Sequence, residues 1–170
     1  MAAEHAFADS YSFGASIETL LDSVLRRSGY EVHPTDMTEQ RRGIDRLVSR
    51  PGEEPLAVEY KADRYAHITG NAAIEHLSSM QGGVYGWLWT CRADRILYVV
   101  VETREVFLLR PQDLRNHISA NPGKYQTRRI NNRGYTTLVY LVPLRTFRSI
   151  AFHNFYLNSV EVMVNLERRR

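Results

Sequence analysis

Apolar residues recur at i, i+3, i+4, i+7 and i+8 across FGASIETLLDSVLRRS, residues 13–28, where Ile17, Leu20, Leu21, Val24 and Leu25 share one stripe. That period predicts an amphipathic helix. Ser12 stands where an N-cap belongs, and Gly29 where a C′ glycine belongs. Glu18 falls on the edge of the stripe, beside Leu25 rather than opposite the core. Downstream the period changes to two. Strands are expected over 30–33, 43–49, 55–62, 72–78, 85–90, 96–101, 106–109 and 136–142. Pro111 opens an expected short helix over 111–118, and a second is expected over 143–150. Val160, Val162, Val164 and Leu166 alternate, which predicts a last strand.

Interleaving of strands and helices predicts an α/β fold with a central mixed β-sheet flanked by helices. At 170 residues the chain fits one domain with a sizeable core, and no repeat or linker divides it. The core is expected over about 13–150, with a C-terminal strand and basic tail over 151–170. No apolar run approaches the length of a membrane span, and MAAEHAFADS has neither the basic nor the apolar region of a signal peptide. A cytoplasmic protein without a membrane partner is therefore expected. One cysteine, Cys91, excludes an internal disulfide and a cysteine metal cage.

The most informative polar residues lie in LAVEYKA, residues 56–62, where Glu59 and Lys61 interrupt an apolar strand. RPGEE, residues 50–54, carries a turn signal, so 43–49 and 55–62 are expected to form a hairpin centred on Gly52. That register sets Asp45 opposite Glu59 and Leu47 opposite Ala57, with Asp45, Glu59 and Lys61 on one face. Two carboxylates that close repel unless a cation separates them. Mg²⁺ suits such a place, because it takes a few carboxylate oxygens and retains waters. Lys61 would then flank the ion and meet an anionic group or a nucleophilic water. The competing arrangement is an ion pair in which Lys61 alone neutralises both carboxylates.

Composition sharpens the interest in Lys61. The net charge of +3 permits a polyanion partner, and 20 of the 22 basic residues are Arg. Only positions 61 and 124 hold Lys, whose compact charge and adjustable pKa differ from the guanidinium fork.

A helix with an inward Glu, then Asp after Gly-Ile, then Glu-x-Lys in the next strand, resembles the PD-(D/E)XK nuclease superfamily. The matching residues are Glu18, Asp45, Glu59 and Lys61, and GID stands where that family often has Pro-Asp. The segments KADRYAHITGN, IEHLSS and TCRAD are similar to small phage and bacterial members, so the resemblance covers about 13–110. It implies a restriction-endonuclease-like core and hydrolysis of DNA phosphodiesters. It further implies Mg²⁺, replaceable by Mn²⁺, held by Asp45, Glu59 and the Tyr60 carbonyl. Lys61 would position water and stabilise the transition state, with Glu18 completing the catalytic set. A module that keeps the fold and binds nucleic acid without cleaving it is the alternative. No recognition domain is visible beyond the core, so sequence specificity would call for a homo-oligomer or an accessory segment.

Arg41, Arg42 and Arg46, just before or within the Asp45 strand, are placed beside the substrate backbone. Asn71 is assigned either to phosphate binding or, with Thr69, to a turn. Glu75 is placed either in the site or on the surface. Cys91, Trp87 and Trp89 are read as packing, Asp94 as structural, and the Arg pairs 26–27, 41–42 and 128–129, with Arg133, as loop or helix-end charges.

Overall fold

The computed structural model describes residues 17–157 and 163–166. Among these, β1 (Glu31–Pro34), β2 (Arg46–Ser49), β3 (Leu56–Asp63), β6 (Arg95–Val100), β7 (Glu105–Leu109) and β10 (His153–Tyr156) form one sheet in the order β1-β2-β3-β6-β7-β10. Only β3 and β6 pair in parallel, so the sheet is mixed as expected. A second, antiparallel sheet in the order β5-β4-β9-β8 comprises β4 (Asn71–Ser79), β5 (Val84–Tyr85), β8 (Gln126–Asn132) and β9 (Tyr135–Pro143). The division into two sheets is not foreseen by the sequence pattern.

The first helix, α1, runs over 17–27 and ends as its sequence dictates. Gly29 takes φ +85°, and the amides of Gly29 and Tyr30 donate to the Arg26 and Leu25 carbonyls. Its N-cap candidate, Ser12, lies outside the described residues. Leu21, Val24 and Leu25 pack on Val48, Val58 and Tyr60, on one face of the larger sheet. The opposite face, with Ile96, Tyr98 and Phe107, packs on Ile74 and Val142 of the smaller sheet and on Leu88, Leu114 and Phe147. The larger sheet therefore has an apolar layer on each side, which accounts for the near-continuous apolar run of β6.

Arg46 pairs with Val58, Leu47 with Ala57 and Val48 with Leu56, which is the register the turn signal implies. The connection at 50–54 contains Gly52 at φ +82°. The strand is shorter than expected at its start, because residues 43–45 precede it.

Four further differences have physical causes. Residues 87–90 form a helical turn, α4 (Trp87–Thr90), where alternation of Trp and Leu predicts a strand. A Cβ on Gly86 would lie 2.5 Å from the Glu75 carbonyl oxygen, so the chain passes β4 at a distance only glycine permits and then turns. The Glu75 carboxylate accepts from the Trp87 amide, which settles Glu75 as a cap for this turn. The short helix α2 (Met37–Arg41) starts at Asp36, whose Oδ1 accepts from the amides of Thr38 and Glu39. The loop after β3 contains α3 (Ala66–Thr69), at whose start the amides of Tyr65 and Ala66 donate to Asp63 Oδ1. Arg128 and Arg129, read as loop or helix-end charges, lie instead in the edge strand β8 over residues 126–132.

The helices α5 (Pro111–Ser119) and α6 (Leu144–Ile150) match their expected spans. At the C-terminus, Val160 and Val162 lie outside the described residues. Residues 163–165 form no strand; the amides of Val164 and Leu166 donate to Ser28 Oγ and Tyr30 Oη, and both side chains are buried. No helix among the described residues is long and apolar enough to cross a membrane.

Candidate functional site

The β2–β3 hairpin carries charge on both faces. β3 alternates, so Ala57, Glu59, Lys61 and Asp63 point toward the smaller sheet while Val58 and Tyr60 point toward α1. Asp45 sits where β2 separates from β3. Its amide still donates to the Val58 carbonyl at 2.8 Å, but the next bond comes from its side chain, as Oδ2 accepts from the Tyr60 amide at 2.8 Å. The Asp45 carboxylate is thereby fixed against the backbone between Glu59 and Lys61, and it faces the Glu59 carboxyl.

Glu59 is 3% exposed. Its Oε1 accepts from Lys61 Nζ, while its Oε2 is buried without a hydrogen-bond partner among the described residues. Asp45 offers only acceptor oxygens when ionised, so it bonds Glu59 only if the pair holds a proton. Burial pushes the Glu59 carboxyl up to about 7; Lys61 opposes the rise and Asp45 adds to it. Burial acts to lower the Lys61 pKa, but Glu59 and then Asp45 outweigh it and hold the ammonium above its ordinary range.

The walls come from residues that the sequence pattern treats as packing. The Trp87 ring lies 5.9 Å from Lys61 Nζ, in reach of a cation–π contact. Cys91 closes the side near Gly43, whose carbonyl oxygen is 3.4 Å from Sγ. Gly43 has φ +72°, and a Cβ there would sit 3.0 Å from the Cys91 Cα, so this turn needs glycine on two counts. Burial pushes the Cys91 thiol up to about 11, which makes it an inert wall rather than a nucleophile. Arg115 donates to the carbonyls of Leu88 and Cys91 and holds the α4 end in place. Trp87 and Arg115 are far from Lys61 in sequence, and contacts between distant segments, Gly86 and Trp87 with Glu75 and Trp89 with His76, bring α4 over the hairpin.

The other expected residues separate from this group. Glu18 is bound to Arg46 at 2.9 Å, on the α1 side of the sheet, so its expected place beside the carboxylate pair is corrected. Arg46 is likewise taken up within the chain rather than left beside a backbone to be bound. Its side chain is 12% exposed, with Nε on Asp22 at 3.0 Å and one terminal nitrogen on the Asp45 carbonyl at 2.9 Å. Burial acts against the Arg46 charge, yet Asp22 and Glu18 together raise its pKa. Arg41 and Arg42 are exposed, and Arg42 pairs with Glu39. Asn71 serves the turn: its Nδ2 donates to the Thr69 carbonyl at 2.7 Å. Asp94 is structural, accepting from the Ala57 amide at 2.8 Å. His76 Nδ1 is occupied by Trp89 Nε1 at 2.8 Å. Asp63, which alternation places on the Lys61 face, is fully engaged by amides and by Tyr98 Oη.

Among the described residues, no three or more His, Cys, Asp and Glu converge as a metal cage. A cation here would have two carboxylates, Asp45 and Glu59, together with backbone oxygen and solvent. That donor set suits a hard ion that retains its waters. The Glu59 Oε2 beside Asp45 fits such an ion, since it supplies a lone pair that no donor among the described residues meets. Comparison of the chain with protein-family models, curated proteins and solved structures gives no match.

Proposed function

We propose that the protein is a Mg²⁺-dependent deoxyribonuclease. The observation that carries this reading is the buried Glu59 beside the half-buried Asp45, with Glu59 Oε2 left without a donor among the described residues and an ammonium fixed beside it. Leaving a buried carboxylate oxygen unsatisfied costs about 1–3 kcal/mol or more. A carboxyl group kept at that cost, next to a second carboxylate, suits a ligand that arrives from outside the chain.

Asp45, Glu59 and the Tyr60 carbonyl would hold Mg²⁺, with Mn²⁺ able to replace it. When bound, the ion polarises a phosphodiester and makes water more acidic. The chain's own groups do the rest. The Tyr60 amide orients Asp45 through Oδ2. Trp87 and Glu59 restrict where the Lys61 ammonium can go. From there it donates to a phosphate oxygen or to the attacking water, and its positive charge offsets the negative charge that grows on the phosphorus oxygens. DNA is the substrate class that the resemblance in GID and EYK implies.

Thermal melting with millimolar Mg²⁺ or Mn²⁺ tests the site, since an ion that binds only the folded state raises Tm. The wild type is expected to shift and Asp45→Ala to lose the shift. DNA cleavage in Mg²⁺, with Glu59→Ala as the inactive control, tests the reaction. A metal-dependent shift without cleavage would favour a binding module. Absence of both would leave Lys61 and Glu59 as a structural ion pair.

A further inference from the structure

The charge of this chain is unevenly distributed. Between Asp113 and Glu161 there is no acidic residue, while seven of the 22 Lys and Arg lie there. The rest of the chain sets 15 basic residues against all 19 acidic ones. Thus the small net charge of +3 conceals a basic segment on an otherwise acidic protein.

The fold concentrates that charge on one edge. Arg115 and Arg148 are used internally, on the Leu88 carbonyl and on Glu105. The remaining five are Lys124, Arg128, Arg129, Arg133 and Arg145, and all are exposed. Arg128 and Arg129 lie in β8, Arg133 in its turn to β9 and Lys124 just before it, while Arg145 reaches the same end of the strand from α6. Every residue of β8 is exposed, and β8 is the last strand of its sheet, so its outer edge of backbone groups is unpaired among the described residues. Arg128 points to one face of the strand, into a cleft of about 470 Å³ shared with Asp63, Tyr65 and Asn71. Arg129 points to the other face, into a cleft of about 280 Å³ with Gln81 and Asn131. Lys124 and Arg145 share a third hollow with Gln126 at the start of the strand.

We infer that the β8 edge is an arm that grips the phosphate backbone of duplex DNA; the choice of DNA rests on the nuclease reading. Four of its five cations are Arg, whose planar fork meets phosphate oxygens in pairs. Gln126, Thr127, Asn131 and Asn132 add uncharged groups of the kind that bond phosphate and sugar oxygens. At about 3.3 Å per residue the strand extends for about 23 Å. That spans about seven base pairs of B-form duplex, so the match is to a long linear polyanion rather than to one small anion. Arg128 and Arg129 straddle the edge and contact such a chain from both sides. The arm also adjoins the candidate site: Asp63, which lines the Arg128 cleft, lies two residues beyond Lys61 on the same face of β3.

Fluorescence anisotropy with a short labelled DNA duplex, in EDTA and over a series of salt concentrations, tests the arm apart from any cleavage. The variant Arg128→Ser/Arg129→Ser/Arg133→Ser removes exposed side chains, and its melting temperature is measured alongside. It is expected to bind at least about tenfold more weakly, with a slope of log affinity against log salt shallower by about 2–3, at 0.9 per lost contact. Arg128→Lys/Arg129→Lys should keep the slope. The control Arg26→Ser/Arg27→Ser, on α1, should change affinity far less. The proposal is overturned if the β8 variant binds as the wild type does, if the control loses as much, or if the wild type binds no duplex. Unchanged binding with new self-association would instead assign the arginines to guarding the edge against a second copy. Wild-type binding without cleavage would leave the arm standing and sink the nuclease. Cleavage with undiminished binding by the β8 variant would do the reverse.

Discussion

The β2–β3 hairpin has a charged cluster on each face, and the two are completed differently. Toward α1, Arg46 takes Asp22, Glu18 and the Asp45 carbonyl, and Tyr60 Oη donates to Asp22 at 2.9 Å. Every strong acceptor there has a donor supplied by the chain. Toward the smaller sheet, Asp45, Glu59 and Lys61 bring two carboxylates and one ammonium together, and Glu59 Oε2 has no donor among the described residues. The first cluster is a closed ion network that ties α1 to the sheet. The second leaves a buried carboxylate oxygen without a donor among the described residues, as expected of a place that receives something. The same two strands build both, and alternation of side chains keeps them apart.

The largest effect should come from opening the closed cluster. Arg46→Ala leaves Glu18 without its cation, leaves Asp22 with only the Arg26 cation at 3.9 Å, and takes one donor from the Asp45 carbonyl, which keeps those of Thr35. Breaking a mostly buried pair from one side costs about 3 kcal/mol or more. Urea denaturation should show that loss; a change within error would mean the network is replaced by solvent and the contrast between the faces is unfounded.

The incomplete cluster should respond in rate rather than in stability. Lys61→Arg keeps the charge but replaces a compact head with a planar fork. Removing one preorganised contact to a transition state costs about 10²–10³ in rate. The variant should therefore fold and bind metal normally yet cleave DNA at least about 10²-fold more slowly. Near-wild-type cleavage would make Lys61 a counter-charge, like Arg46 on the other face.

The smallest effect concerns pH in metal-free protein. Glu59 has a folded-state pKa of about 7 against an ordinary 4.5, so the folded state binds the proton more tightly than the unfolded one. This contribution to stability is present in full below about 4.5 and is lost as pH rises through about 7. Between those limits wild type should lose roughly 2–3 kcal/mol relative to Glu59→Gln, at 1.36 kcal/mol per pKa unit. Parallel denaturation curves for the two proteins at pH 5 and pH 8 measure it. A constant difference between them would show that Glu59 ionises without penalty and that the second cluster is as satisfied as the first.

Much of this arrangement is legible in the amino-acid sequence. The α1 stripe, its Gly29 stop and the hairpin register around Gly52 follow from local rules, because they depend on residues a few positions apart. Asp36 with Glu39 three residues on also carries the sequence signal for α2. The candidate site is legible as far as Asp45, Glu59 and Lys61, which one hairpin brings together. Glu18 is not, because its helical position fixes a direction but not a partner, and Arg46 from the facing strand takes it.

Side-chain period and turn chemistry suffice for the mixed sheet and for the face that Glu59 and Lys61 share, and composition alone marks the lysine at position 61. Packing between distant segments was needed to divide the strands into two sheets, to turn α4 at Gly86, and to wall the site with Trp87 and Cys91. It also makes residues 126–132 an exposed edge strand rather than a loop. Each of these depends on a close approach between parts of the chain far apart in sequence, such as Gly86 against Glu75 or Gly43 against Cys91. A local pattern holds no record of such an approach, because the partner that makes glycine necessary lies outside any window over which periodicity is read.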